Sequence, residues 1–564
     1  MMAAAYTIGL DFGTNSVRAL VVDVRDGREV GSFVWEYTHG RNGIVIDANN
    51  PELARQHPAD YLKGIEVAVT QALEQASSEK EMSRKSIIGI GVDTTGSTPM
   101  PVDANGQALA LLPEFANDPN AMAWLWKDHT SHAEAERITQ LAGKHRPQYL
   151  AKCGGRYSSE WFWAKIAQCA KVSPKVFAAA HTWVEIADWI PAVLAGNVSP
   201  SKLKRGVCAA GHKAFFNASW GGYPDAEFLK LIHPDLPKVR ATLDHGCATI
   251  AESVGGLSAE WAAKLGLPAG IPIAVGAFDA HLGAVGAGIT DGTLVKIMGT
   301  STCDIMVSPL ANKIADVPGL CGIVNESVLP GYFGLEAGQS AVGDIFNWFV
   351  SKIRPGGDEE GTHANLTEGA EALQPGESGL LSLDWHNGNR TVLVDQRLTG
   401  LLVGTTLYTS PAEIYRALIE ATAFGSRVIM ERLEEFNVPV KRIINCGGIA
   451  ARNPLAMQIY ADIMNRPLMI SRSTQTCALG SAIAGAVVAG KVRGGYDDYG
   501  AAVAAMTGVQ ETSYQPIPKN VAVYEKLFRL YRKLHDAFGI AGHRADISDV
   551  MKELLSIRDS VRGA

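Results

Sequence analysis

Apolar and polar positions divide this chain into two halves that read alike. Tyr6 to Phe12 and Val17 to Asp23 are apolar strands on either side of the polar turn Gly13-Thr14-Asn15-Ser16, and the Arg25-Asp26-Gly27 turn leads to a third strand near Glu29–Thr38. From Pro58 to Gln75 the apolar positions Tyr61, Ile65, Val69 and Leu73 recur at a helical spacing. Ser86 to Thr98 reads as a buried strand running into a polar loop of small residues, where ligand groups collect in open α/β sheets. Gly270 to Asp279 is a further apolar strand running into a loop, and the small residues of Ala280–Gly288 suit close helix packing.

The pattern then starts again. Leu294 to Met298, the turn Gly299-Thr300-Ser301 and Thr302 to Met306 repeat the opening hairpin. Lys441 to Cys446 is a strand that enters the double glycine Gly447-Gly448. Asn453-Pro454 reads as an N-cap with a first-turn proline, opening a helix from Leu455 to Met464, and Thr476 precedes the small-residue helix Cys477–Ala486. Between these elements, residues 124–234 are rich in Trp and Tyr and read as insertions that shape a substrate pocket. Residues 352–378 read as a surface excursion, and 520–562 as a mostly helical tail without chemistry.

A glycine turn lets the backbone approach a ligand closely and gives access to positive φ, and its N–H groups with neighbouring hydroxyls can form a nest for phosphate oxygens. Two such turns, one in each half, predict two similar domains closing on one nucleotide. The length of 564 residues also argues for more than one core. The expected boundary lies near Thr290: an N-terminal unit 1–290, a C-terminal unit 291–545, and a helical tail 546–564.

Composition narrows the class. Hydrophobic content of 47% with 19% charged residues is that of an ordinary globular protein, and a net charge of −7 argues against nucleic acid or an anionic membrane as partner. No uncharged apolar run is long enough to span a bilayer, and Met1-Met2-Ala3 leads almost directly into the first strand without a cleavable signal pattern. Eight cysteines without a Cys-x-x-Cys pair indicate neither a zinc site nor a disulfide framework. The expectation is a reduced, cytoplasmic protein.

Three features carry candidate chemistry. Asp11 sits in the first phosphate-type turn, where a carboxylate beside polyphosphate is stabilised by Mg²⁺; the alternative is a turn Asp bonding its own backbone. Asp279 lies at a strand mouth, where a carboxylate can accept the proton of an attacking hydroxyl; the alternative is a helix N-cap. Gly447 and Gly448 offer a flat backbone surface for a nucleoside, or form an ordinary tight turn.

These residues bring out a resemblance that covers nearly the whole chain. Asp11-Phe-Gly-Thr-Asn-Ser16 resembles the first phosphate motif of the FGGY carbohydrate kinases, and Met298-Gly-Thr-Ser301 the second. Gly447 to Asp462 resembles the C-terminal signature of that family, and Ala277-Phe-Asp-Ala-His281 the segment holding its catalytic Asp. The fold implied is mixed α/β, with two ribonuclease H-like domains of the actin, Hsp70 and sugar-kinase type and a nucleotide cleft between them.

Gly91–Pro99, Leu125–His129, Tyr157–Trp161, Gly211–Lys213 and Leu335–Ser340 resemble the branch of the family that acts on L-ribulose. Tyr157–Lys165 departs from the general N-terminal signature, as expected of that branch. The resemblance implies ATP-dependent phosphorylation of L-ribulose on its 5-hydroxyl, a step of L-arabinose catabolism. D-Ribulose and D-xylulose are the nearest alternative substrates, and an actin-like nucleotide switch without kinase activity is a more distant one. A sugar-sensing transcription regulator is disfavoured, because no basic helix-turn-helix precedes the first strand.

Carried onto this sequence, the resemblance makes Asp279 the catalytic base and places Gly96, Ser97, Trp126, Lys213, Asp279 and Glu336 around the ketopentose. Asp11 would hold Mg²⁺. Gly13, Thr14, Asn15, Ser16, Arg18, Gly299, Thr300 and Ser301 would line the phosphates of ATP, with Gly447, Gly448 and Asn453 beside the adenosine. The expected partner is a small ketopentose, with neither nucleic acid nor membrane, and a homodimer is left open.

Overall fold

The computed structural model describes residues 4–243, 246–357 and 361–563. The N-terminal Met1–Ala3 and positions 358–360 of the expected excursion lie outside the described residues.

Each half builds one seven-stranded sheet beside smaller ones, and the two large sheets share a topology. In the first half Tyr6–Phe12 pairs antiparallel with Ser16–Asp23, which pairs antiparallel with Glu29–Glu36. On its other edge Tyr6–Phe12 runs parallel to Ile87–Thr94, which runs parallel to the short strands Pro272–Ala274 and Ala277–Phe278. In the second half Thr293–Met298 pairs antiparallel with Thr302–Pro309, and that strand antiparallel with Tyr332–Ala337. Thr293–Met298 then runs parallel to Arg442–Cys446, itself parallel to Leu468–Ser471. The repeat legible in the sequence is thus a repeat of strand order.

The four-residue apolar period becomes the helix Pro58–Ala76, whose Tyr61, Ile65, Val69 and Leu73 are buried against the first sheet. Residues 124–234 form a mostly helical layer with an aromatic core of its own that includes Trp124, Trp163, Trp183 and Tyr149. The expectation of a surface excursion over 352–378 is corrected in part. Thr362 caps a helix, His363–Glu371, and its Leu366 and Ala370 are buried in the core beside the long helix Pro411–Glu435. Only two apolar positions one turn apart carry that packing, which the surrounding Gly, Pro and Glu residues mask. The tail forms Pro518–Gly539 and Val550–Arg562, which bury Tyr524, Phe528, Tyr531, Leu554 and Ile557 in the same core. No described helix is long and apolar enough to cross a membrane.

Small residues join the halves. The helix Thr476–Ala489 leaves the second sheet and lies across the first, and it also packs on the helix Asp279–Gly286. A Cβ on Gly9, Gly89 or Gly91 would stand 1.8–1.9 Å from the carbonyls of Ala478, Gly485 and Ser481. A Cβ on Gly480 would stand 1.8 Å from Leu282 O. Strand side chains alternate between faces, so Gly89, Gly91 and Asp93 share the face that meets this helix, as do Gly9 and Asp11. The glycines bring the helix backbone close, and the carboxylates end the same rows at the mouth formed by the C-terminal ends of the strands.

Candidate active site

Three carboxylates converge at that mouth. Asp11 and Asp93 are register partners on adjacent parallel strands, and Asp93 pairs in turn with Ala277, two residues before Asp279. Asp279 opens the helix Asp279–Gly286, and its Oδ1 accepts the N–H of Ala280 at 2.6 Å. Burial pushes Asp279 up to about 7, with the negative charge of Asp11 adding to it. Burial also raises Asp11, against the pull of Arg18, whose guanidinium stands 3.4 Å away. It raises Asp93 well above its ordinary value, with Asp11 contributing. Ser481 Oγ donates to Asp93 Oδ2 at 2.6 Å, while Oδ1 is buried without a hydrogen-bond partner among the described residues. Carboxylates crowded together with raised pKa values and an unsatisfied oxygen are a donor set suited to a hard divalent cation.

Each hairpin turn closes through its glycine N–H at 2.9 Å, Gly13 N donating to Ser16 O three residues on and Gly299 N to Ser301 O two residues on. Neither glycine takes a positive φ, so the access to left-handed backbone that a glycine turn offers is not used here. A Cβ on Gly13 would meet only Ser16 O at 3.5 Å, and one on Gly299 only Ser301 O at 3.9 Å. The space in front of both turns is open to a ligand.

The first turn is braced by Gln56, which donates to Thr14 O at 2.8 Å, and by the Trp126 indole, which donates to Thr14 Oγ1 at 3.0 Å. Asn15 is exposed and its amide donates to Asn42 O. The second turn is braced by Val342 N on Thr300 O and Gly343 N on Gly299 O. Gly447, at φ +95°, lies against Met298, where a Cβ would stand 2.4 Å from the carbonyl. Gly448 is exposed with nothing near its Cβ position, and Asn453 caps Pro454–Met464 by accepting from Ala456 N at 2.9 Å.

Of the expected sugar residues, Gly96 and Lys213 stand at Phe278, the residue before Asp279. Lys213 Nζ lies 5.8 Å from that ring and 5.2 Å from the Trp161 ring. It donates to both oxygens of Glu336 at 3.0 Å. A Cβ on Gly96 would clash with the Phe278 ring at 2.2 Å, so the 96–97 loop lies directly on it. Burial raises Glu336, but Lys213, His212 and His281 outweigh it and hold the carboxyl well below the usual range. Trp126 stands at the first hairpin through Thr14, and the Ser97 hydroxyl is turned to Glu185.

Several site residues escaped sequence reasoning. Asp93 ends an apolar strand just as Asp11 and Asp279 do, a signal that could have found it. His212 and His281 stand 3.0 Å apart behind Glu336 and are both shifted down by burial, His281 to about 4. With Glu336 they have the spacing of a metal triad, but the Lys213 ammonium already occupies the cation position on that carboxylate. Lys165 and Glu185, beneath the Gly96–Ser97 loop, gave no pattern at all.

Comparison with known proteins finds matches to both halves of the chain. The FGGY family of carbohydrate kinases, N-terminal domain, matches residues 6–286, and its C-terminal domain matches 294–489. A ribulokinase of Bacillus licheniformis is 43% identical over 96% of this chain and 98% of its own length. One from Vibrio parahaemolyticus is 42% identical over 94% of this chain and 95% of its own. Among solved structures, xylulose kinase from Rhodospirillum rubrum superposes with a TM-score of 0.77 at 23% identity, covering 94% of this chain and 98% of that one. Plasmodium falciparum glycerol kinase with ADP superposes at 0.75 and 16% identity, covering 95% and 99%. At such identities the two structures speak for the fold alone.

Proposed function

The chain belongs to the FGGY family of carbohydrate kinases, and on that premise we propose that it transfers the γ-phosphoryl group of ATP to the 5-hydroxyl of L-ribulose. That it is an enzyme phosphorylating ribulose follows from ribulokinases 41–43% identical over nearly its full length. The observation that carries the site assignment is that Asp279, two residues beyond the register partner of Asp93, feels the charges of Asp11 on one side of the assignment and of Lys213 and Glu336 on the other.

In this reading the ketopentose lies against Phe278, with Lys213 donating to its oxygens and Glu336 accepting from its hydroxyls. Asp279 takes the proton of the attacking hydroxyl as the O–P bond forms and the bond to the ADP oxygen breaks. A carboxyl raised to about 7 is a better base at neutral pH than an ordinary aspartate, because the returned proton binds more tightly. The turns at Gly13–Ser16 and Gly299–Ser301 hold the polyphosphate, and Gly447, Gly448 and Asn453 flank the adenosine. Mg²⁺, held by Asp11 and Asp93, would neutralise charge on the phosphates. The units are 1–290, 291–545 and the tail 546–564, and their closure excludes water as a competing acceptor.

A coupled ADP-release assay over the 2-ketopentoses and glycerol tests the substrate. L-Ribulose is expected to give the highest kcat/KM. A higher value for D-ribulose or D-xylulose would replace the sugar named here, and turnover of glycerol alone would remove the ketopentose.

A further inference from the structure

Beneath the sugar-facing loop lies a pair of opposite charges that the reaction itself does not use. Lys165, on the helix Phe162–Val172, is fully buried, and its ammonium donates to three main-chain carbonyls: Ser97 O at 2.8 Å, Leu125 O at 2.8 Å and Trp124 O at 3.1 Å. These three acceptors lie on two separate segments. One leads through Gly96 onto Phe278, and the other leads into Trp126, whose indole holds Thr14 of the first hairpin. Glu185, also buried, accepts from Ser97 Oγ and from Thr98 N, the latter at 2.7 Å. Ser97 is therefore gripped from both ends, its carbonyl by a cation and its hydroxyl by an anion.

We propose that Lys165 and Glu185 are positioning residues for the phosphoryl acceptor: together they set the distance between the Gly96–Ser97 wall of the sugar site and the Trp126 wall beside the first phosphate hairpin. The inference deepens the proposed function and rests on its reading of these two segments as the sugar pocket.

The physical reason lies in the number and direction of the bonds. An ammonium offers three donors, and here all three point at carbonyls. Such a group fixes two loops relative to each other in a way that an apolar side chain of equal volume cannot. Buried charges without partners are costly, so the pair is stable only while both loops keep their places. Each charge lies in the other's field: Glu185 draws the buried Lys165 upward and Lys165 draws the buried Glu185 downward, each against a larger effect of burial. The Ser97 hydroxyl, committed to Glu185 and only 1% exposed, then acts as a latch for the loop, and the loop main chain with Gly96 presents the wall.

The test uses full-length wild type, K165M, E185Q, S97A and the double variant E185Q/S97A. The reporter is whichever of the 2-ketopentoses, glycerol or gluconate the wild type phosphorylates fastest, so a wrong substrate assignment shows in the wild type and leaves the comparison of variants intact. E185Q is expected to raise the KM for that polyol by about ten- to a hundredfold, the order of loss that follows misplacement of a reacting group, while the KM for ATP stays within about twofold. K165M is expected to do the same where it folds, as judged by circular dichroism. Because Glu185 acts through the Ser97 latch, E185Q should add much less to S97A than it costs alone. Equal losses in both KM values, or fully additive effects of E185Q and S97A, would reduce the pair to general stabilisers of the fold and overturn the proposal.

Discussion

Lys213 and Glu336 meet across the two halves of the chain, the ammonium 3.0 Å from both carboxylate oxygens and both side chains more than nine-tenths buried. Lys213 ends the helix Val207–Lys213, and Glu336 lies on the strand Tyr332–Ala337 of the second sheet. Under the proposed function a polyol would insert its hydroxyls into this ion pair made by both halves, so that binding sugar and closing the two halves would draw on the same contacts.

Removing one partner leaves the other charged and buried. Glu336→Ala is expected to raise the KM for ketopentose more than that for ATP, and to lower stability by about 3–5 kcal/mol, the order found for a broken buried pair. Steady-state kinetics with each substrate varied and urea unfolding check both parts. A larger effect on the KM for ATP would move Glu336 out of the sugar site.

Asp279→Asn keeps size and removes the base. Turnover should fall by about 10²- to 10⁴-fold with ATP binding largely kept. In the wild type, a carboxyl raised to about 7 must lose its proton to act, so kcat/KM for sugar should rise with pH through that value. The asparagine variant should lose this limb, and near-normal turnover would remove Asp279 from the mechanism.

The same carboxylates link stability to pH. Asp279 is raised from 3.8 to about 7, so the folded protein binds more protons than the unfolded chain between those values. Its contribution to stability is full below 3.8 and lost as pH rises through about 7, and Asp11 and Asp93 act in the same direction. Asp93→Asn should therefore flatten the fall of Tm with pH in metal-free protein, and should raise the Mg²⁺ concentration needed for half-maximal turnover. Melting curves from pH 4 to 8 with chelator present, and a Mg²⁺ titration of rate, check the two effects; a pH dependence as steep as that of the wild type would contradict the shared-charge account.

Two glycines separate ligand approach from packing. Gly13→Ala puts a Cβ no closer than 3.5 Å to any heavy atom beyond its chain neighbours, so Tm should hold while the KM for ATP rises. Gly480→Ala puts a Cβ 1.8 Å from Leu282 O between the two joined helices, and should cost about 1–3 kcal/mol by overpacking. Differential scanning calorimetry with ATP kinetics on both variants separates the cases, and a fall in Tm for Gly13→Ala would place that glycine in the packing.

The hairpins, the four-residue helix period and the Asn453 cap were legible in the sequence because each is a local matter of periodicity and turn chemistry. Asp11 and Asp279 were legible for a related reason: each follows an apolar run, and a carboxylate at the end of a strand is conspicuous. Asp93 carried the same signal inside a longer apolar strand. Lys165 and Glu185 left none, since one lysine on a helix and one glutamate after a strand look alike whether they face water or a loop 68 and 88 residues away.

By itself the sequence determined the repeated strand–turn–strand unit and the carboxylates at the strand mouths, and therefore two sheets with a glycine turn on each. Only the tertiary structure decided which polar residues share a pocket. Lys213 reaches Glu336 across 123 positions and Ser481 reaches Asp93 across 388, through a helix seated on strand glycines. Contacts of that span depend on how the two halves pack, and small residues that permit close approach do not say which surfaces they bring together.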